Sequence, residues 1–88
     1  MHNIIFNERC VGWTNNMEVN KYHLNAIMNF LADIFAYRGY IYLNQIFEHL
    51  GSKWNPDFEN ICYRSDGTGL PYEIKHIEDA DFMITIHD

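Results

Sequence analysis

The chain has 88 residues, 48% hydrophobic and 16% aromatic, with two Pro, five Gly and a formal net charge of −6. That length supports one core and therefore one domain, and the apolar content excludes intrinsic disorder. Six Lys and Arg dispersed along the chain exclude simple non-specific binding to nucleic acid, which needs clustered cations.

In chain order, Asn3-Ile4-Ile5-Phe6 and Arg9-Cys10-Val11-Gly12-Trp13 read as two short strands joined by a tight turn at Asn7-Glu8. Thr14-Asn15-Asn16 supplies side-chain oxygens to cap a helix, which the spacing predicts from about Glu18 to Arg38, ending at Gly39. Leu24, Ile27, Met28, Leu31, Ile34 and Phe35 form its apolar stripe. His23, Ala26, Phe30 and Tyr37 widen that stripe to an arc of roughly 200° at about 100° per residue, leaving Lys21, Asn25, Asn29, Ala32, Asp33 and Ala36 for water. Such a helix either lies between a sheet and a second helix or gives part of its arc to a homodimer seam.

Tyr40-Ile41-Tyr42 is β-prone, and Leu43, Ile46, Phe47 and Leu50 return to helical spacing before Gly51. A loop at Trp54-Asn55-Pro56-Asp57 leads to a strand over Ile61-Cys62-Tyr63-Arg64, and the Gly67-Thr68-Gly69 segment reads as a hairpin turn into a return strand from Leu70 to Lys75. Pro71 lacks an N–H, so that strand starts at an edge or outside the ladder. Glu78-Asp79-Ala80-Asp81 makes the next turn, and Phe82, Ile84 and Ile86 alternate with Met83, Thr85 and His87 in a half-buried closing strand. His87, beside Asp88, is expected to fray.

The expected fold class is α+β: one long and one short helix on a small antiparallel sheet of the C-terminal strands, with the N-terminal hairpin as an addition. Tyr72, Ile74, Phe82, Ile84 and Ile86 are expected to meet Leu24, Ile27, Leu31, Ile34, Ile46, Phe47 and Leu50 in the core.

Charge is segregated. After residue 56, Asp57, Glu59, Asp66, Glu73, Glu78, Asp79, Asp81 and Asp88 face only Arg64 and Lys75, whereas residues 1–56 balance four acids with four bases. No spacing matches a zinc site, a metalloprotease helix or a calcium loop, so no metal or other cofactor is expected. His76 with Glu78, Asp79 and Asp81 reads as a solvated turn rather than a metal site. No paired base and nucleophile points to an enzyme. Cys10 and Cys62 read as reduced thiols, since no secretion signal precedes them and no 18-residue apolar run marks a membrane span. The expected location is the cytoplasm.

The stretch Arg38-Gly39-Tyr40-Ile41-Tyr42-Leu43-Asn44-Gln45-Ile46-Phe47-Glu48-His49-Leu50-Gly51, between a long helix and a Trp-containing loop, resembles a segment of small phage and integrative-element proteins of low-GC Gram-positive bacteria. The resemblance implies a mobile-element origin and carries no activity with it. The order of helix, short strand, helix and hairpin also resembles a winged-helix module. That resemblance implies a dimeric transcriptional regulator, although the short helix offers Asn44, Gln45, Glu48 and His49 with no Arg, and Asp66 stands where a wing would meet a phosphate.

Segregated acidity combined with abundant Tyr and Trp points first to a non-enzymatic protein-binding module. Its expected contact residues are Asp66, Glu73, Glu78, Asp79, Asp81, Tyr40, Tyr42 and Trp54. The expected partner is a host protein with a basic groove, such as a nucleic-acid-processing defence system inhibited by mimicry of its substrate.

Overall fold

A computed structural model describes residues 2–52 and 56–87. Strands β1 (His2–Phe6), β2 (Tyr40–Tyr42), β3 (Cys62–Arg64), β4 (Tyr72–Glu78) and β5 (Asp81–Ile86) combine with helices α1 (Met17–Arg38) and α2 (Leu43–His49), and a 3-10 turn spans Pro56–Phe58. This is the α+β class with one long and one short helix. The sheets are antiparallel, one ordered β1-β5-β4 and the other β2-β3.

Both ends of α1 follow from local chemistry. Asn16 Oδ1 accepts from the Val19 N–H at 3.1 Å, satisfying one of the first-turn amides. At the other end Gly39 takes φ 83°, and its N–H reaches the Phe35 carbonyl. Two residues later Ile41 is fully buried between the outward-facing Tyr40 and Tyr42, the alternation of a half-buried strand. The Tyr42 N–H donates to Gln45 Oε1 at 3.1 Å, which starts α2.

The N-terminal segment departs from the hairpin reading. Only His2–Phe6 is a strand, and it pairs with β5, His2 opposite Ile86 and Phe6 opposite Phe82. After it the chain coils through successive turns: Cys10 N–H donates to the Asn7 carbonyl at 2.8 Å and Trp13 N–H to the Cys10 carbonyl at 3.3 Å. Asn7 also accepts from Arg9 N–H through its side chain, the Asx geometry that competes with strand pairing. The Val11 N–H meets the Gly51 carbonyl at 3.3 Å, so this turn docks on the end of α2.

Gly51 is required at that contact. It has φ +80°, and an added Cβ would lie 2.5 Å from the Val11 carbonyl oxygen and 2.6 Å from the Val11 nitrogen. Gly51→Ala is expected to cost about 2 kcal/mol, because left-handed strain adds to a backbone clash. Urea denaturation would measure it, with Gly69→Ala as a control, since an added Cβ at Gly69 meets nothing within 4 Å.

The Gly67-Thr68-Gly69 turn is not a hairpin. β3 pairs with β2, Tyr42 opposite Cys62, while β4 pairs with β5, so the segment carries the chain from one sheet to the other. Ser65 N–H donates to the Gly39 carbonyl at 2.8 Å, which holds the chain on the β2 side until the crossing. On the far side Leu70 is buried, and the Pro71 carbonyl accepts from His87 N–H at 2.8 Å. The same bond, with His87 Nε2 on Glu73 Oε1 at 3.1 Å, fixes His87 against β4 instead of letting it fray. β4 is an edge strand that starts at Tyr72, with Pro71 just outside the ladder.

The core lies where both sheets meet α1. Ile4 and Phe6 of β1, Phe82, Ile84 and Ile86 of β5, and Leu24, Met28, Leu31 and Phe35 of α1 are buried together with Ile41, Leu43, Ile46, Leu50 and Leu70. Ile27, Phe47, Tyr72 and Ile74 pack at its margin. His2 ties the sheets at one edge: its Nδ1 lies 2.7 Å from the Tyr63 hydroxyl, and its ring meets Phe58 edge-on.

The apolar arc of α1 is narrower in the fold than its sequence implied. Phe30 is 53% exposed and Tyr37 93% exposed, and Ala26 faces solvent with them. A small sheet and a seven-residue second helix cover the Leu24 face and leave the opposite one open.

Candidate acidic interface

Residues from both ends of the chain build an acidic cleft at the tip of the β4-β5 hairpin. Asp79 takes φ 46°, a left-handed conformation that Asp tolerates better than most residues, and this closes the turn between Glu78 and Asp81. His76 Nε2 lies 2.6 Å from the Asp79 carbonyl, and its ring packs on Phe82 at 5.3 Å, so this imidazole braces the turn. On the neighbouring strand β1 ends at Phe6, opposite Phe82. The chain beyond it therefore delivers Asn7 and Glu8 beside the same tip.

The resulting cleft is about 570 Å³ and is lined by Glu8, Asp79, Asp81, Asn7, Asn15, Trp13, Met17 and Ala80. Trp13 Nε1–H donates to Asp81 Oδ1 at 3.1 Å, fixing the carboxylate and the indole relative to each other. The lining holds three carboxylates and two amides with no Lys or Arg. Beneath it, fully buried Asn20 holds the floor: its Nδ2 donates to the Ala80 carbonyl and to the Thr14 carbonyl, each at 2.8 Å.

The residues expected at a partner surface occupy several places. Asp79 and Asp81 share the cleft, and Glu78 sits opposite Asp81 across the hairpin. Glu73 is five positions along β4, roughly 17 Å away at about 3.4 Å per residue, and is engaged by His87. Asp66 accepts from the Thr68 hydroxyl and from the Thr68 N–H at 3.1 Å. The hydroxyl bond first, and the amide bond second, hold its carboxyl below the ordinary value. This turn is therefore tightest above the ordinary carboxylate range and loosens as pH falls through the lowered value.

Tyr40 and Tyr42 stand on the two-stranded sheet with ring centroids 5.8 Å apart, and Tyr42 borders a second recess with Glu48 and Glu59. Trp54 lies outside the described residues. Glu8 and Trp13 were not legible as site residues, because only the pairing of β1 with β5 brings them to the hairpin.

Cys10 is buried, its thiol 3.5 Å from the Ile5 carbonyl, and both it and Cys62 are free thiols. Among the described residues no group of three or more His, Cys, Asp or Glu side chains is arranged to hold a metal ion. On α2, Asn44 is buried and Gln45 binds the Tyr42 backbone, so neither amide is presented outward as a groove-reading side chain would be. No described helix is long and apolar enough to cross a membrane. No protein-family model, curated protein or solved structure matches this chain.

Proposed function

We propose that this protein is a non-enzymatic binding module of phage or mobile-element origin, whose acidic hairpin tip captures a basic surface of a host protein in the bacterial cytoplasm. In its most concrete form it inhibits a nucleic-acid-processing defence system, with carboxylates standing where that system binds phosphates. The observation that carries this reading is the convergence of Glu8, Asp79 and Asp81 on one cleft, beside Glu78 and without a basic residue in the lining. A Lys or Arg entering there would gain charge-assisted hydrogen bonds, and the indole of Trp13 offers it a flat apolar wall. The acidic field would also speed encounter with a basic groove, an effect that weakens with salt.

The test is capture of basic nucleic-acid-binding host proteins on immobilised protein, followed by elution with duplex DNA. Elution by DNA is expected, as is a loss of affinity of at least about 100-fold when Glu8→Gln, Glu78→Gln, Asp79→Asn and Asp81→Asn are combined. These substitutions preserve shape, and Asp81→Asn keeps an oxygen for the Trp13 N–H. Undiminished capture by the neutral variant would end this reading.

A further inference from the structure

The outer face of α1 carries large apolar side chains left exposed among the described residues. Val19 is 49% exposed, Tyr22 78%, Phe30 53% and Tyr37 93%. With Ala26 and Asp33 these residues fall at i, i+3, i+7, i+11, i+14 and i+18. At about 100° per residue they occupy an arc of roughly 80°, the width and alternating spacing of a coiled-coil seam. The stripe is roughly 27 Å long at about 1.5 Å per residue. Scattered exposed apolar residues need no explanation, but a valine and three aromatic rings aligned along one face of a helix do.

We propose that this stripe is covered by α1 of a second copy of the chain, running antiparallel across a two-fold axis at the level of Met28. An isologous interface requires a surface that complements itself when reversed. Val19 and Tyr37 lie nine residues either side of Met28, Tyr22 and Asp33 six and five, and Ala26 and Phe30 two. Reversal therefore sets Val19 against the partner's Tyr37 and small Ala26 against the partner's Phe30. It also sets Asp33 against the partner's Tyr22, so that a carboxylate faces a hydroxyl donor.

A parallel pairing would instead stack Asp33 on its own copy and leave Ala26 facing Ala26, a charge repulsion beside a void. An unrelated helix would have no reason to meet such reciprocal spacing. The neighbouring elements fit the arrangement too, because Phe30 leans on the His49 ring of α2 at 5.6 Å and is held at the edge of the seam. The acidic cleft borders Asn15 and Met17 at the start of α1, so an antiparallel pair would carry its two clefts at opposite ends and leave both open.

Sedimentation equilibrium of the full chain at micromolar concentrations is expected to show a dimer. Tyr37→Glu, at a position that makes little contact within the chain, is expected to weaken association at least about tenfold with an unchanged circular dichroism spectrum, and Phe30→Glu to do the same. Orientation is read by oxidative cross-linking against the wild-type chain, whose Cys10 and Cys62 give the background. Asn29→Cys, one residue from the axis level, is expected to form a linked dimer, and Tyr37→Cys is not. A monomer throughout the concentration range, a dimer indifferent to Tyr37→Glu, or linkage through Tyr37→Cys in place of Asn29→Cys would overturn the proposal. The acid-neutralised variant should still dimerise, so failure of the seam and failure of the cleft are separately visible.

Discussion

Asn20→Leu is expected to destabilise the fold by about 3–5 kcal/mol, although the side chains are similar in size and leucine is the better helix former. Asn20 is 0% exposed, and its amide is saturated. Nδ2 donates to the carbonyls of Thr14 and Ala80, while Oδ1 accepts from the Thr14 N–H and hydroxyl, each at 2.9 Å. Leucine would leave these backbone groups without partners in a region where Ala80 is itself buried, and each unsatisfied group costs about 1–3 kcal/mol. The hydrophobic gain from the new side chain is smaller than the sum of those losses. Asn20→Asp tests the same account differently, since it retains the acceptors and loses both donated bonds. Chemical denaturation of the two variants gives the numbers, and a leucine variant as stable as wild type would show that the network contributes nothing.

The second large effect is expected from Leu31→Ala, at about 2–5 kcal/mol. Leu31 is fully buried in the cluster formed by α1, both sheets and α2, so truncation leaves a cavity where several elements meet. A domain of this size has about 5–15 kcal/mol in total, and each kcal/mol moves the melting temperature by roughly 4–8 °C. The variant should therefore melt at least about 8 °C lower. Ala26→Ser on the opposite face of α1 should move the monomer's transition little, and a calorimetric scan would separate the two faces.

These two positions also mark what the amino-acid order discloses. Leu31 is legible because it repeats with helical period among apolar neighbours. Asn20 falls on the same face of the helix but is polar, so periodicity passes over it; its partners become visible only once the 79–80 turn lies beside the helix start. The ends of α1 are legible for the same local reason that they form, an Asn before the first turn and a Gly after the last.

Strand partners were harder to read. The turn at residues 65–69 and its flanking strands carry every local sign of a hairpin, yet β3 lies beside β2 and β4 beside β5. Turn chemistry determines that the chain bends, whereas the burial of Ile41, Leu70 and Ile84 decides what it bends towards. The acidic site divides along the same line. Asp79 and Asp81 are conspicuous in a short acidic run, while Glu8 belongs to the electrically balanced half and reaches them only through a pairing that spans almost the whole chain.

That pairing has a consequence for how the protein comes into being. β5 is the middle strand of its sheet, flanked by β1 and β4, and His2 finds its place opposite Ile86. During synthesis β1 is thus made long before it can be sheltered: Ile4 and Phe6 must wait, with the greasy face of a completed α1, until β5 emerges. Closing so long a loop adds only modestly to the entropic cost, since that cost grows with the logarithm of length, but it delays the native pairing until all the intervening segments exist. The newborn chain is consequently most vulnerable to aggregation just before β5 arrives, and every pairing of the β1-β5-β4 sheet depends on that strand being translated intact.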